Sequence, residues 1–546
     1  MCGFPRRKGG SHQPRWPRHR TQSRSPPSLI HILTMANHCP RNSSKDPILP
    51  ETPAARRLPA TPIILLTGSF FLLGALYLVG MRLSLADTTP LWLDETWSGM
   101  IATRPDWSSF WREAWLDCNP PLYYLLLTGW VTLFGDSNLM LRLPSILFVL
   151  AAALLPLLWR PRTLGRTGAW TWAALLFLWP PNLGIMVDAR GYGLMMLLST
   201  ASCLTVAHLL ERLTLRWAML WVGLGTLMFL THYYAAVLIL GQILVLLYRH
   251  RLNLARMWPA MIVATPGLGW FAYHLPRLAD YARDDVAWYD PTSLSRAMLN
   301  LAFVLGAQNI VALFAVIALV IVATIHMRRQ QSDILSSGSD PLPLTALTAV
   351  IGFAIAILVS LFQPSLTDRY LVPLVPSAML GLTLLIQRTP RPDHAALGMA
   401  FAFMAPVLNP ALMRTELGDR TIYGYEQGSD FIRAERPDRV LFLWDSPSAK
   451  IMDRASLAAI GGYFLARPGM DVPVEPLVVD RKADPNAILR AHAISGRPAL
   501  IWLYNAHYRS AAKDHPPTLQ DDPSWHCNRG TRTDIVGSIA CIKRVQ

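Results

Sequence analysis

Charge is scarce in this chain, and negative charge scarcer still. Only 16% of the 546 residues are charged, and 35 Asp and Glu stand against 50 Lys and Arg. Soluble domains carry about 25% charged residues, so an ordinary water-soluble enzyme is excluded. Cysteine is sparse too: Cys2, Cys39, Cys118, Cys203, Cys527 and Cys541 are scattered and form no CxxC pair, which argues against a zinc or redox motif. A secretory signal peptide needs an apolar core of about 7–15 residues, and LIHILTM (residues 29–35) is too short and too broken for one. The excess of basic residues lies in the N-terminal tail and in short loops, with no repeating basic-aromatic surface, so nucleic acid is not an expected partner.

What the chain does have is long apolar runs, 52% of residues being hydrophobic. Runs of spanning length fall near 62–80, 141–159, 169–187, 192–210, 217–231, 233–248, 258–275, 308–326, 344–362, 370–387 and 394–409. This is the pattern of a polytopic α-helical membrane protein. Residues 1–60 are rich in Arg, Pro and Ser and are expected to form a disordered basic tail. Translation from Met35 would make the first 34 residues an artefact; the sequence leaves Met1 and Met35 both open.

A twelfth apolar stretch, NPPLYYLLLTGWVTLFG at 119–135, creates a conflict. Counted as a span, it puts the later basic loops on the same side as Asp94. Treated as an interfacial or re-entrant helix, it removes the conflict, and its Pro-Pro start and Tyr and Trp content suit the headgroup level. The loops with Arg160/Arg162/Arg166, Arg212/Arg216, Arg249/Arg251/Arg256, Arg328/Arg329 and Arg388/Arg391 then share the cytoplasmic side with the N-terminal tail. The opposite side collects Asp94, Glu95, Asp117, Asp188, His232, Asp280, Asp284, Asp285, Asp290, Asp368 and the C-terminus. The expected layout is about eleven spans in a membrane domain at 61–410, followed by a periplasmic domain at 411–546.

After residue 410 the pattern changes. RVLFLW (439–444), VPVEPLVV (472–479), ALIWLY (499–504) and IVGSIACI (535–542) predict buried strands. Residues 446–467 predict a helix with a Ser cap and a Gly-Gly interruption, and 484–493 a second helix. The expectation is a small α/β domain without a phosphate loop or nucleophile elbow, serving a structural or acceptor-docking role. Cys527 and Cys541 lie in this segment. An extracytoplasmic location would allow a disulfide, and two free thiols is the other reading.

On the outer side, Asp94 and Glu95 follow a span end and are flanked by Trp92, Leu93 and Trp97. An isolated acidic pair there is usually just solvated. Two further groups argue against that: Asp188 and Arg190 in the short turn MVDARGYG, and Asp368-Arg369-Tyr370 at the start of another span. Ionisable groups at such depths are costly and mark function. His232 opens the THYYAAVL span, where an interfacial anchor is the plainer role, and Asn119-Pro120-Pro121 is otherwise a helix start. Carboxylates can act as bases or hold a divalent cation, and an Arg can pair with a phosphate.

The order LDE, NPPLYYLLLTGWVTLFGDSNLMLRLPSILF, DARGYGLMMLLS, THYYAAVL and DRYLVPLVPSAMLGL, over roughly residues 62–410, resembles the bacterial GT-C glycosyltransferases. Within that group it is similar to the family 39 protein mannosyltransferase-like enzymes and the lipid A aminoarabinose transferases. The resemblance implies a polytopic inverting enzyme that takes its sugar from a polyprenyl-phosphate donor, with juxtamembrane helices in the first outer loop. It implies Asp94 as the catalytic general base toward the acceptor hydroxyl, helped by Glu95. Asp188 would be a second acidic residue that positions the acceptor or, with Asp94, a metal such as Mg²⁺ or Mn²⁺. Arg190, His232, Arg369 and Tyr370 would lie near the donor phosphate, and Asn119 and Tyr192 would position acceptor or loop. Asn119 is a departure, since many relatives place His or Lys before the Pro-Pro pair. The expected partners are the lipid-linked donor, an extracytoplasmic acceptor and membrane lipids. A transporter or flippase for a lipid-linked sugar is the rival reading. Transporters place their sites near the bilayer midplane within repeated halves, whereas here the ionisable groups collect at one face.

Overall fold

The computed structural model describes residues 76–283, 292–330, 340–408, 425–467, 469–480, 482–505, 511–528 and 536–544. The N-terminal tail, most of the expected span 62–80 and the boundary expected at 410/411 lie outside the described residues. The described residues belong to one compact unit, Ser69–Gln546.

The first helix described, α1, covers residues 76–88, so it runs on past the residue-80 limit expected from the apolar run. Then follow α2 (Leu93–Ala102), α3 (Trp107–Leu116), α4 (Leu122–Phe134), α5 (Asn138–Leu158) and α6 (Gly165–Leu178). Next come α7 (Asn182–Ile185), α8 (Tyr192–Glu211), α9 (Leu215–Thr231), α10 (Ala235–His250), a 3₁₀ helix (Arg251–Ala264) and α11 (Thr265–Tyr281). The membrane part ends with α12 (Leu294–Val304), α13 (Ile310–Arg329), α14 (Leu342–Phe362), the 3₁₀ helix Asp368–Leu374, α15 (Val375–Gln387) and α16 (Pro392–Leu408).

Six stretches among the described residues are long and apolar enough to cross a membrane: Asn138–Leu158, Tyr192–Glu211, Ala235–Tyr281, Ile310–Arg329, Leu342–Phe362 and Asp368–Gln387. The protein is a polytopic integral membrane protein. α8 is its centre, with 83% of its most apolar window buried inside the protein, against 28% for α13. Phe314, Ile317, Ile321 and Ile325 of α13 are exposed, as suits a helix whose neighbour is lipid.

Three segments differ from the sequence expectation. The run 169–187 is not one helix, because α6 stops at Leu178 before Trp179-Pro180-Pro181 and only a four-residue turn follows. Consecutive prolines lack the N–H groups that would continue the ladder. The span expected at 258–275 is split, with 3₁₀ geometry to Ala264 and an α-helix that starts with a proline in its first turn and continues to Tyr281. α12 was not foreseen.

The helix ends gather into two groups. At one, the ring of Trp159 lies 5.6 Å from His208 and 5.5 Å from Trp217. There the His250 ring meets Leu209 O at 2.7 Å, and Gln387 donates to Leu164 O at 3.1 Å. The loops beside Arg160, Arg212, Arg249 and Arg388 therefore meet. At the other end lie the turns carrying Asp94, Asp117, Asp188, His232 and Arg369. α4 has 13 residues, or roughly 20 Å at 1.5 Å per residue, which is too short for a core of about 30 Å. At its start Tyr124 donates to Asp117. Just past its end, Arg467 pairs with Asp136 at 3.4 Å. Arg467 closes a helix that packs on α2, so the contacts at both ends of α4 lead to elements around Asp94.

The C-terminal region holds α17 (Tyr425–Glu435), β1 (Val440–Asp445), a 3₁₀ turn (Pro447–Ile451), α18 (Arg454–Ala466), β2 (Val474–Leu477), α19 (Pro485–His492), β3 (Ala499–Asn505), β4 (Trp525–Cys527) and β5 (Val536–Lys543). The sheet order is β2-β1-β3-β5-β4. β1 is parallel to β2 and β3, and β5 is antiparallel to β3 and β4. All four expected strands are present, and β4 is an addition. The helix expected over 446–467 is two elements: Ser446 accepts from Ser448 N, and Asp453 caps α18 by accepting from Ser456 N at 2.6 Å. Gly461-Gly462 does not interrupt α18. Gly461 lets it press on the sheet, since a Cβ there would sit 2.5 Å from Phe442 Cγ. Cys527 and Cys541 are cross-strand partners joined by a disulfide, which selects between the two readings left open above.

α8 packs directly on the α5 backbone at Gly193, where a Cβ would meet the Ser145 carbonyl oxygen at 2.8 Å. The neighbour is backbone and cannot turn aside. Gly193→Val should therefore lower the melting temperature of the detergent-purified protein, the overpacking cost being about 1–3 kcal/mol. An unchanged melt would show that the two helices can separate freely at this point.

Candidate active site

α2 begins at Leu93, and its first turn carries Asp94 and Glu95. Helical geometry turns these neighbours about 100° apart around the axis, and they meet different surroundings. The Glu95 side chain is 0% exposed, and so is that of its partner Arg142, which α5 presents one turn in. The pair is bidentate, Arg142 Nε to Glu95 Oε1 at 2.7 Å and Nη2 to Oε2 at 2.6 Å. Glu95 also accepts from the N–H of Ala189 at 2.8 Å and of Trp92 at 3.2 Å. The rest of the guanidinium collects Ala86 O, Thr89 O, Thr89 Oγ1 and Pro90 O within 2.7–3.1 Å. One buried ion pair thus ties the end of α1, the start of α2, α5 and the 188–190 turn together. These contacts make Glu95 a structural anchor, turned away from solvent.

Asp94 faces the other way and is 28% exposed, as suits a group that meets substrate. Its Oδ2 lies 3.3 Å from Arg369 Nη2, and that guanidinium is 24% exposed. Arg369 also lies over the Trp92 ring at 5.0 Å, a cation–π contact. Trp92 is oriented in turn by Asp188, whose Oδ1 accepts from Trp92 Nε1 at 3.0 Å. The Asp188 carbonyl is held by Ser145 Oγ at 2.6 Å. Asp188 is buried and acts here on the platform beneath Arg369.

Arg190 reaches the backbone of the acid: Nη1 donates to Asp94 O at 3.2 Å and lies 3.5 Å from Tyr124 Oη. Its contacts orient Asp94. Asn119 stays local, with Nδ2 near Asp117 Oδ2 at 3.4 Å and Cys118 Sγ at 3.5 Å. His232 lies between α9 and α10, its ring 4.5 Å from Tyr370 and 6.1 Å from Tyr192. Burial, and then the Arg190 and Arg369 charges, push its imidazole down to about 3, so it is neutral at pH 7. Its Nδ1 accepts from Tyr234 N at 3.2 Å, which leaves Nε2 as the protonated nitrogen, buried and without a partner among the described residues. Its Nε2–H can donate a hydrogen bond. The Tyr192 hydroxyl is likewise buried, with no hydrogen-bond partner among the described residues.

The expected residues Asp94, Glu95, Asp188, Arg190, Tyr192, His232, Arg369 and Tyr370 are thus brought to one place, with Asn119 beside them. Sequence reasoning missed Arg142 and the platform role of Trp92. Arg142 had a signal, an arginine inside an apolar run of spanning length. Among the described residues there is no cluster of three or more His, Cys, Asp or Glu able to hold a metal. Asp94 faces Arg369 and Asp188 faces Trp92, so the two carboxylates named for Mg²⁺ or Mn²⁺ do not form a fitting donor set.

No protein-family model matches the chain, and no curated protein sequence matches it. Its fold is shared by two crystal structures of ArnT from Cupriavidus metallidurans, each 13% identical over 88% of this chain and 98% of that one. The apo state superposes with a TM-score of 0.53, and the state bound to undecaprenyl phosphate with 0.52. The fold is therefore the one expected from the sequence resemblance to lipid A aminoarabinose transferases.

Removing one member of a buried ion pair strands the other charge, at a cost of about 3–5 kcal/mol. Arg142→Ala should therefore sharply reduce the melting temperature and the yield of monodisperse protein in detergent. Asp94→Asn, at a part-exposed site, should melt close to wild type. Equal melting of Arg142→Ala and wild type would remove the anchor role.

Proposed function

We propose that the protein is a membrane glycosyltransferase. It moves a hexosyl or pentosyl group from a polyprenyl-phosphate carrier to a hydroxyl of an extracytoplasmic glycan, lipid or protein, with inversion. The observation that carries this reading is the part-exposed pair of one carboxylate and one arginine, Asp94 and Arg369, 3.3 Å apart and held by buried anchors. The related ArnT fold in its undecaprenyl-phosphate complex supports a lipid-phosphate donor here.

In this reading Asp94 takes the proton of the acceptor hydroxyl, and that oxygen attacks the anomeric carbon. The bond from that carbon to the phosphate oxygen breaks from the opposite face, and the electron pair leaves with the polyprenyl phosphate. Arg369, seated on Trp92, meets the charge developing on the departing phosphate. Arg190 and Asp188 hold Asp94 and Trp92 in place, and His232 Nε2–H and the Tyr192 hydroxyl offer hydrogen bonds to the sugar or phosphate. No step is routed through a metal.

The reading places the chain in the inner membrane with about eleven spans, the N-terminal tail and basic loops in the cytoplasm, and the site and C-terminal domain in the periplasm. It is supported by the two separate groups of helix ends and by the positive-inside rule.

Asp94→Asn should abolish transfer in membranes supplied with polyprenyl-phosphate sugars, at normal expression. Activity near wild type would overturn the mechanism. Arg369→Ala should raise the donor KM and lower kcat, removal of a charge-assisted bond being worth about tenfold or more. Cysteine introduced by Thr163→Cys should react with a membrane-impermeant thiol reagent only after the cytoplasmic face is opened. Labelling from the periplasm would invert the topology.

A further inference from the structure

The C-terminal domain grips the catalytic helix at several points. Trp97 of α2 meets Trp444 of β1 with ring centroids 5.8 Å apart. Gly99 of α2 lies directly against the Tyr463 hydroxyl of α18, with no room for a Cβ. On α3, the buried Glu113 accepts from Ser456 Oγ at 2.6 Å. One contact differs in kind from these. Glu426, in the first turn of α17, accepts from Leu91 N at 3.0 Å and from Asn138 Nδ2 at 3.0 and 2.9 Å through its two oxygens. Asn138 is further held by Arg467 Nη1 at 2.8 Å.

The spacing gives this contact its meaning. Leu91 precedes Glu95 by four residues, and Asn138 precedes Arg142 by four, one turn along α5. Glu426 therefore bridges the two backbone segments that present the two halves of the buried ion pair. A short shift between these segments would break the 2.6 and 2.7 Å bonds of Glu95 to Arg142 and release the first turn of α2. We infer that Glu426 is a positioning residue for Asp94: through Leu91 and Asn138, the C-terminal domain keeps Glu95 and Arg142 in register and so holds Asp94 against Arg369. The domain then acts as a clamp on the catalytic helix. The catalytic part of this inference rests on the reading of Asp94 as base; the mechanical part does not.

The test uses the full-length protein in detergent or nanodiscs, with hydrogen exchange read beside transfer kinetics. The reporting amide is Ala189 N–H, which bonds to Glu95 and does not touch Glu426. Glu426→Ala should speed exchange at Ala189 and Trp92 by about tenfold or more, as expected for loss of bonds to a charged group. It should lower kcat by a similar factor and leave the donor KM within about twofold. Exchange across β1 and β3 should stay at wild-type rates, which a general unfolding of the domain would not allow. Glu426→Gln, which keeps one acceptor oxygen for Leu91, should fall between the two. Should Glu426→Ala loosen β1 and β3, Asn138→Ala decides: it removes the α5 arm together with the Arg467 bond, leaves the Leu91 bond to Glu426, and should still speed Ala189 exchange. Unchanged exchange at Ala189 in the variant that keeps its sheet overturns the inference. Wild-type protein with no transfer activity from polyprenyl-phosphate sugars would overturn the proposed function, and the exchange comparison would still decide on the clamp.

Discussion

The bidentate pair between Glu95 and Arg142 is the constraint on which the site depends. Two charges without solvent contact are tolerated only when every lone pair and N–H is used, and here the arginine satisfies carbonyls from Ala86, Thr89 and Pro90 while the glutamate satisfies Ala189 and Trp92. The pair thereby sets where α1 ends, where α2 begins and how closely the 188–190 turn approaches. Asp94 is the residue beside it, left facing outward because its neighbour is pinned inward.

From that anchor a chain of contacts runs to the groups that would meet substrate. Ser145 of α5 holds the Asp188 carbonyl, Asp188 orients Trp92, and Trp92 underlies Arg369, which reaches Asp94. Arg190 closes the circle on the Asp94 backbone. Such a site is stiff where charge must be positioned and part-exposed at Asp94 and Arg369, the combination that electrostatic preorganisation requires. The C-terminal domain extends the same rigidity from outside the membrane part, through Glu426, Tyr463 and Ser456.

Much of this was legible beforehand, for definite reasons. Long apolar runs must be helices because the bilayer supplies no partners for backbone groups, so α5, α8, α13 and α14 fell close to their expected positions. Period and composition found β1, β2, β3 and β5. Charge alone demoted 119–135 to a short helix, and α4 has only 13 residues. Harder to see were features that depend on a partner far along the chain. Arg142 reads as one polar residue in an apolar run until Glu95 is placed beside it, and Trp92 reads as an interfacial anchor until Asp188 and Arg369 meet it. The three-residue strand β4 has too few positions to show a period.

Hydropathy and composition thus determined, without coordinates, that the chain is a polytopic membrane protein with a small α/β domain, because these follow from solvation of each segment separately. The different surroundings of Asp94 and Glu95 were decided only by the tertiary structure. Two adjacent carboxylates are chemically near-equivalent in the chain. Their difference arises when α2 packs so that one is sealed against Arg142 and the other is left beside Arg369 with access to solvent.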